Sequence, residues 1–158
     1  MKKVFVDGPK QVKKVNTFSE EMCDYKNQFI FIKKMFFDEE FTEKRELTRE
    51  LKNKLQSYKS QDKRKKVYDD KKFIDFDTIV EKIIASKTHC HYCGHGIYLF
   101  YNNTNEPRQW TLDRINNSIG HNSDNVVISC LDCNLRRGTL NKDKYLFTKK
   151  MRIIKKYD

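Results

Sequence analysis

Long apolar runs are missing from this 158-residue chain. None approaches the roughly 20 residues that a membrane-spanning helix needs, and the N-terminal residues carry no secretory-leader pattern. The expected location is therefore intracellular, in the cytoplasm or nucleus of a cell or host, or in a virion, and not secreted. Hydrophobic residues make up 37% against 35% charged, so the expected core is small. Metal coordination can supply part of the stability that a small core lacks. There is no internal repeat and no low-complexity linker. Acidic residues are outnumbered, giving a formal net charge of +11 and a pI near 9.4. Such a balance favours a polyanionic partner, most simply nucleic acid; a solvated basic face in a Lys- and Asn-rich chain is the alternative.

Of five cysteines, Cys23 stands alone and reads as a small packing residue. The other four form two Cys-x-x-Cys steps, Cys90/Cys93 and Cys130/Cys133. Paired steps separated by a few dozen residues read as one four-thiolate zinc site, in a reducing compartment where thiolates bind metal instead of oxidising. Gly94 relieves the turn after the first pair, and the second pair lies at an expected helix N-terminus, where the dipole favours thiolate. Four thiolates close the coordination shell, so the zinc is structural. His89, His91 and His95 crowd the first knuckle and read as polar turn residues.

Val4-Phe5-Val6 suggests a short strand before the Asp7-Gly8-Pro9 turn. Phe29 to Ile32 and Met35 to Phe37 form an aromatic block, a strand packing on the later domain or a partner surface. Asp38 to about Lys66 reads as one long helix without Gly or Pro, its stripe formed by Phe41, Leu47, Leu51, Leu55 and Tyr58. Its C-terminal part carries Lys52, Lys54, Lys59 and the run Lys63, Arg64, Lys65 and Lys66, a candidate phosphate-contacting face. Val67 to Phe76 reads as a polar connector, and Asp75 or Asp77 caps a shorter helix through about Lys87. A hairpin is expected from Ile97–Tyr101 and Gln109–Leu112, with Trp110 and Tyr98 as core. Val126–Ser129 leads into the second knuckle, and one helix is expected from Asp132 to about Lys150. From Arg136 onward nine Lys or Arg face two Asp, a second basic surface.

With Asp113 at a strand end, Asn125 in Asp124-Asn125-Val126-Val127 and Asn134 right after the last cysteine, roughly residues 75–150 resemble the HNH, or ββα-metal, nuclease family in its zinc-stapled form. The resemblance implies an α+β fold. A small treble-clef module (73–158) would follow a helical extension (1–72). It also implies phosphodiester hydrolysis, most simply in double-stranded DNA. Asp113 and the side-chain oxygen of Asn134 would hold Mg²⁺ or Mn²⁺, Asn125 would orient the strand, and Arg136 and Arg137 would grip the phosphate.

The chain departs from the family where the general base belongs. The family keeps a His directly after the acidic residue; here it is Arg114, which stays protonated and cannot abstract a proton. Three readings follow. His121, on the Gly120-His121-Asn122-Ser123 loop, acts as base; or water suffices, with Arg114 stabilising the transition state; or cleavage is lost and the module only binds nucleic acid. The Asp-Arg-Ile-Asn-Asn-Ser variant recurs in sequences that resemble phage and large-virus HNH proteins, and the Lys-, Asn- and Ile-rich composition suits such a source. A structural or virion-assembly role for the aromatic block and long helix is a further alternative.

Overall fold

The computed structural model describes residues 17–151, so the strand expected at Val4–Val6 lies outside the described residues. Among these, six helices accompany a two-stranded sheet, a mixed α+β arrangement. In chain order they are α1 (Glu20–Cys23), α2 (Tyr25–Phe36), α3 (Lys44–Arg64), α4 (Phe76–Ala85), β1 (Trp110–Arg114), β2 (Val126–Cys130), α5 (Leu131–Arg137) and α6 (Lys142–Lys150). No helix among the described residues is long and apolar enough to cross a membrane.

The aromatic block is helix, not strand. Asp24 caps α2 by accepting from the backbone N–H groups of Lys26 and Asn27, and Gln28, Phe31 and Ile32 are buried at three- and four-residue spacing. Period wins over the β-propensity of Phe29–Ile32 because tertiary burial outweighs local preference. The Gln28 side chain is fully buried and bonds the backbone of Leu99 and Phe100, pinning α2 to the segment before the sheet.

The long helix starts later than its acidic residues suggested, at Lys44, after Asp38 adopts a left-handed φ of 53°. Phe41 precedes it and stacks on Phe31 at 5.8 Å, while Leu47 and Leu51 enter the core. Lys54 does not face solvent. Its ammonium lies over the Tyr101 and Trp110 rings and donates to Gln109 Oε1 at 2.9 Å and to the Trp110 carbonyl. Burial pulls its pKa down to about 7. One apolar core joins Ile32, Leu47 and Leu51 to Ile79, Ile83, Trp110, Leu112 and Ile128, so packing is continuous across residue 72.

The connector also takes part in the core. Ile74 is fully buried and its N–H donates to the His121 carbonyl, while Ser123 N–H donates to the Lys72 carbonyl. Asp75 then caps α4, accepting from Thr78 N–H at 2.8 Å.

The sheet differs from the expected hairpin. β1 pairs antiparallel with β2, Trp110 opposite Cys130 and Asp113 opposite Val127. Residues 97–101 contribute only an isolated bridge, Tyr98 to Gln109. Buried Ile97, Leu99 and Phe100 serve the core without extending the sheet. The expected C-terminal helix is two helices: Gly138, at φ 52°, ends α5, and Asn141 caps α6.

Candidate active-site cleft and metal centre

The four sulfurs of Cys90, Cys93, Cys130 and Cys133 lie within 4.8 Å of one another, and none is disulfide-bonded. Cys93 and Cys130 sulfurs are 3.9 Å apart, close to the ~3.8 Å edge of a tetrahedron with metal–sulfur bonds of about 2.3 Å. Backbone N–H groups of Tyr92 and Cys133 each point at a sulfur, Cys90 and Cys130 respectively, at 3.4 Å. A hydrogen bond from Cys130 leads the effects that bring the Cys90 thiol down to about 4, whereas the hydrogen bond to Cys90 pushes the Cys130 thiol up and burial pushes up that of Cys133. Gly94 sits at φ 70° with nothing within 4 Å of a built Cβ, so its conformation, not space, calls for glycine. Among the described residues the four cysteines can hold a metal ion such as zinc. His89, His91 and His95 are exposed and lie outside the cluster.

Each knuckle sends one side chain to Asp113. Tyr92, inside the first Cys-x-x-Cys step, donates its hydroxyl to Asp113 Oδ2. Arg137, one turn beyond Cys133, places Nη1 2.7 Å from Oδ1 and 2.8 Å from Oδ2. Burial, then the bonded Asp113, push the Tyr92 phenol far upward, so it remains a donor. Arg137 is 2% exposed and also donates to the carbonyls of Arg114, Ile115 and Leu140. It is a structural counter-ion, not a surface phosphate contact as its sequence position had suggested. The exposed Arg136 pairs with Asp132 at 2.8 Å, and Lys63, Arg64, Lys65 and Lys66 are exposed at the end of α3.

Beside this pair opens a cleft of 470 Å³. Asp113, Arg114, His121 and Asn134 all line it, with Tyr58, Lys65 and Asn117 among the others. Asn134 donates to Thr111 Oγ1 at 3.1 Å, which leaves its amide oxygen without a hydrogen bond among the described residues. Arg114 holds the carbonyls of Asn117 and Ile119 through Nη1 alone.

Asn125 organises the loop between the strands and does not enter the cleft. Its Oδ1 accepts from Asn116 N–H at 2.9 Å and its Nδ2 donates to the carbonyls of Asn116 and Gly120. That loop carries His121 to the cleft wall, 4% exposed, its ring 4.5 Å from the Tyr58 ring. His121 Nδ1 lies 2.7 Å from Asp62 Oδ1, and its backbone N–H donates to Asp62 Oδ2 at 2.6 Å. Burial lowers the His121 pKa, assisted by Arg114 and Lys65 and opposed by Asp62.

Asp62, fully buried on α3, and Tyr92 are the residues that the motif reading missed. A signal for Asp62 existed: it is the one acid between Lys59 and Lys66, at a helix C-terminus where the dipole disfavours an anion. Tyr92 had none beyond its place between two metal-ligand candidates. Comparison with protein-family models, curated proteins and solved structures finds no match for the chain, so its function is argued from the cleft.

Proposed function

We propose that the chain is a metal-dependent, HNH-type endonuclease that cuts or nicks DNA in the cleft over β1 and α5. One observation carries the reading. The strand position reserved for the family's base holds Arg114, yet the 120–123 loop delivers His121 to the cleft that Asp113, Arg114 and Asn134 line. Its Nε2 carries no hydrogen bond among the described residues, while its Nδ1 is held by a carboxylate. A nitrogen poised in this way takes the proton of the attacking water. Water adds to phosphorus, the bond to the 3′ oxygen breaks, and a second water protonates that oxygen. Arg114, with Nε and Nη2 free of hydrogen bonds among the described residues, and Lys65 supply positive charge for the phosphoryl oxygens.

The donor set suits a hard divalent ion. Asp113 offers about four lone-pair sites, and its three bonds leave one on Oδ1. With the Asn134 amide oxygen, that makes two protein ligands, which fits Mg²⁺ or Mn²⁺ keeping most of its waters. Such an ion would neutralise charge at the leaving oxygen. In the cysteine cluster we infer a structural zinc within a treble-clef-like module, since thiolate sets select zinc. Lys63 to Lys66 and Arg136 would follow the duplex backbone.

The test is nicking of supercoiled plasmid in Mg²⁺ or Mn²⁺, wild type against Asp113→Asn and Asn134→Ala. Asparagine is the milder replacement at 113 because its amide oxygen can still accept from the buried Arg137, which alanine would leave without an acceptor there. Cleavage by wild type that both variants lose supports the reading. A wild type that shifts DNA with steep salt dependence but never cuts would assign the chain to the non-catalytic binders.

A further inference from the structure

Asp62 and His121 are 59 residues apart in sequence and meet where the end of α3 supports the 120–123 loop. An acid in the last turn of a helix is opposed by the dipole, and a fully buried carboxylate is costly unless hydrogen-bonded. Both oxygens are bonded here, and both to the same residue: Oδ2 accepts the His121 backbone N–H and Oδ1 faces Nδ1. The backbone amide can only donate, and an ionised carboxylate can only accept. Nδ1 must therefore carry the imidazole proton. In the neutral ring that leaves Nε2 bare, the nitrogen without a hydrogen bond among the described residues.

The surroundings fix this arrangement further. The Tyr58 ring lies against the imidazole, and its hydroxyl accepts from Leu112 N–H at 3.0 Å, tying the pair to β1. Gly120 passes so close that a Cβ would meet Asp62 Oδ2 at 2.7 Å and the Val67 carbonyl at 2.6 Å. A histidine that only filled space would not need its backbone and its ring to converge on one buried carboxylate.

We infer that Asp62 is the positioning residue of a buried Asp–His dyad, fixing the His121 tautomer so that Nε2 is the basic nitrogen at the cleft. The catalytic part of this inference rests on the nuclease reading; the tautomer does not. Arg114 and Lys65 face the ring from the cleft and oppose its protonation, while Asp62 favours it. Loss of the carboxylate thus has a definite sign: the acid limb of any rate profile moves to lower pH.

The experiment uses the full chain with ¹⁵N-histidine, reading the His121 tautomer by long-range ¹H–¹⁵N correlation, alongside plasmid cleavage across pH. Wild type should show the Nδ1–H tautomer at neutral pH. In Asp62→Asn the amide oxygen serves the backbone N–H and the amide nitrogen faces Nδ1, so the ring inverts to Nε2–H. Cleavage should then fall by on the order of 10²–10⁴, with the residual acid limb displaced downward. A wild-type His121 in the Nε2–H form overturns the dyad, even if Asp62→Asn fails to fold. So does an Asp62→Asn protein with tautomer, rate and acid limb unchanged. If wild type shows Nδ1–H, Asp62→Asn inverts it and neither protein cuts, the dyad stands and the nuclease reading falls.

Discussion

Arg137 and Asp113 form a buried ion pair, with side chains 2% and 4% exposed and Nη1 2.7 Å from Oδ1. The pair fastens the start of the inter-strand loop to α5, because the same guanidinium also holds the Arg114 and Ile115 carbonyls. Removing one partner leaves a buried charge uncompensated, which costs about 3–5 kcal/mol. Arg137→Met should therefore lower the free energy of unfolding by that amount, read as a lower urea midpoint at an unchanged slope. An unchanged midpoint with a DNA salt slope reduced by about one would return Arg137 to the surface phosphate contacts.

Asp113 is tied to the cysteine cluster from both knuckles, by Tyr92 between Cys90 and Cys93 and by Arg137 after Cys133. Stripping the metal should loosen the cleft as well as the fold, since structural zinc contributes on the order of 10 kcal/mol of apparent binding energy. Native mass spectrometry should find one zinc per chain. A strong chelator should abolish tertiary near-ultraviolet dichroism, and Cys133→Ser should bind zinc weakly. A chelated protein that keeps its full unfolding transition would contradict a structural role.

Gly120 has no room for a methyl group, and the atoms it would strike include a backbone carbonyl that cannot rotate away. Gly120→Ala should destabilise the protein by about 1–3 kcal/mol, as overpacking does. It should also shift the His121 ring resonances, because the loop must move off Asp62. A crystal structure of the variant with the Asp62–His121 distances unchanged would show that the loop has slack.

The His121 pKa is held below its ordinary value chiefly by burial, which fixes the sign of a pH effect. Between the folded and unfolded values the unfolded chain binds more protons, so stability rises with pH there. It is complete above about 6.5, the unfolded value, and is lost as the pH falls through the folded one. Urea titrations between pH 5 and 7.5 should show this slope in wild type and a flatter one in His121→Gln. Equal slopes would mean that other groups govern the acid limb.

What could be read from the sequence was local. The four cysteines announce themselves because tetrahedral coordination imposes short spacing on the chain, and Asp75 because a cap acts within three residues. Phe29 to Ile32 misled because aromatic and β-branched residues favour strands, whereas the spacing of Gln28, Phe31 and Ile32 is helical. β1 found its partner beyond the 115–125 loop, not in the nearer 97–101 segment, since Gln28 occupies the backbone of Leu99 and Phe100. Asp113, Arg114, His121 and Asn134 do share one cleft, but the partners that set their chemistry are distant. Arg137 is 24 residues from Asp113 and Asp62 is 59 from His121, and no periodicity reports such pairs.

The most direct measurement is chemical rescue of His121→Gly in the plasmid-nicking assay with Mg²⁺ or Mn²⁺. The variant should lose on the order of 10²–10⁴ in rate, and added imidazole should restore part of it, with a pH dependence that follows the added base. A His121→Gly protein that nicks at the wild-type rate, or whose lost activity no added imidazole recovers, would contradict His121 as the base.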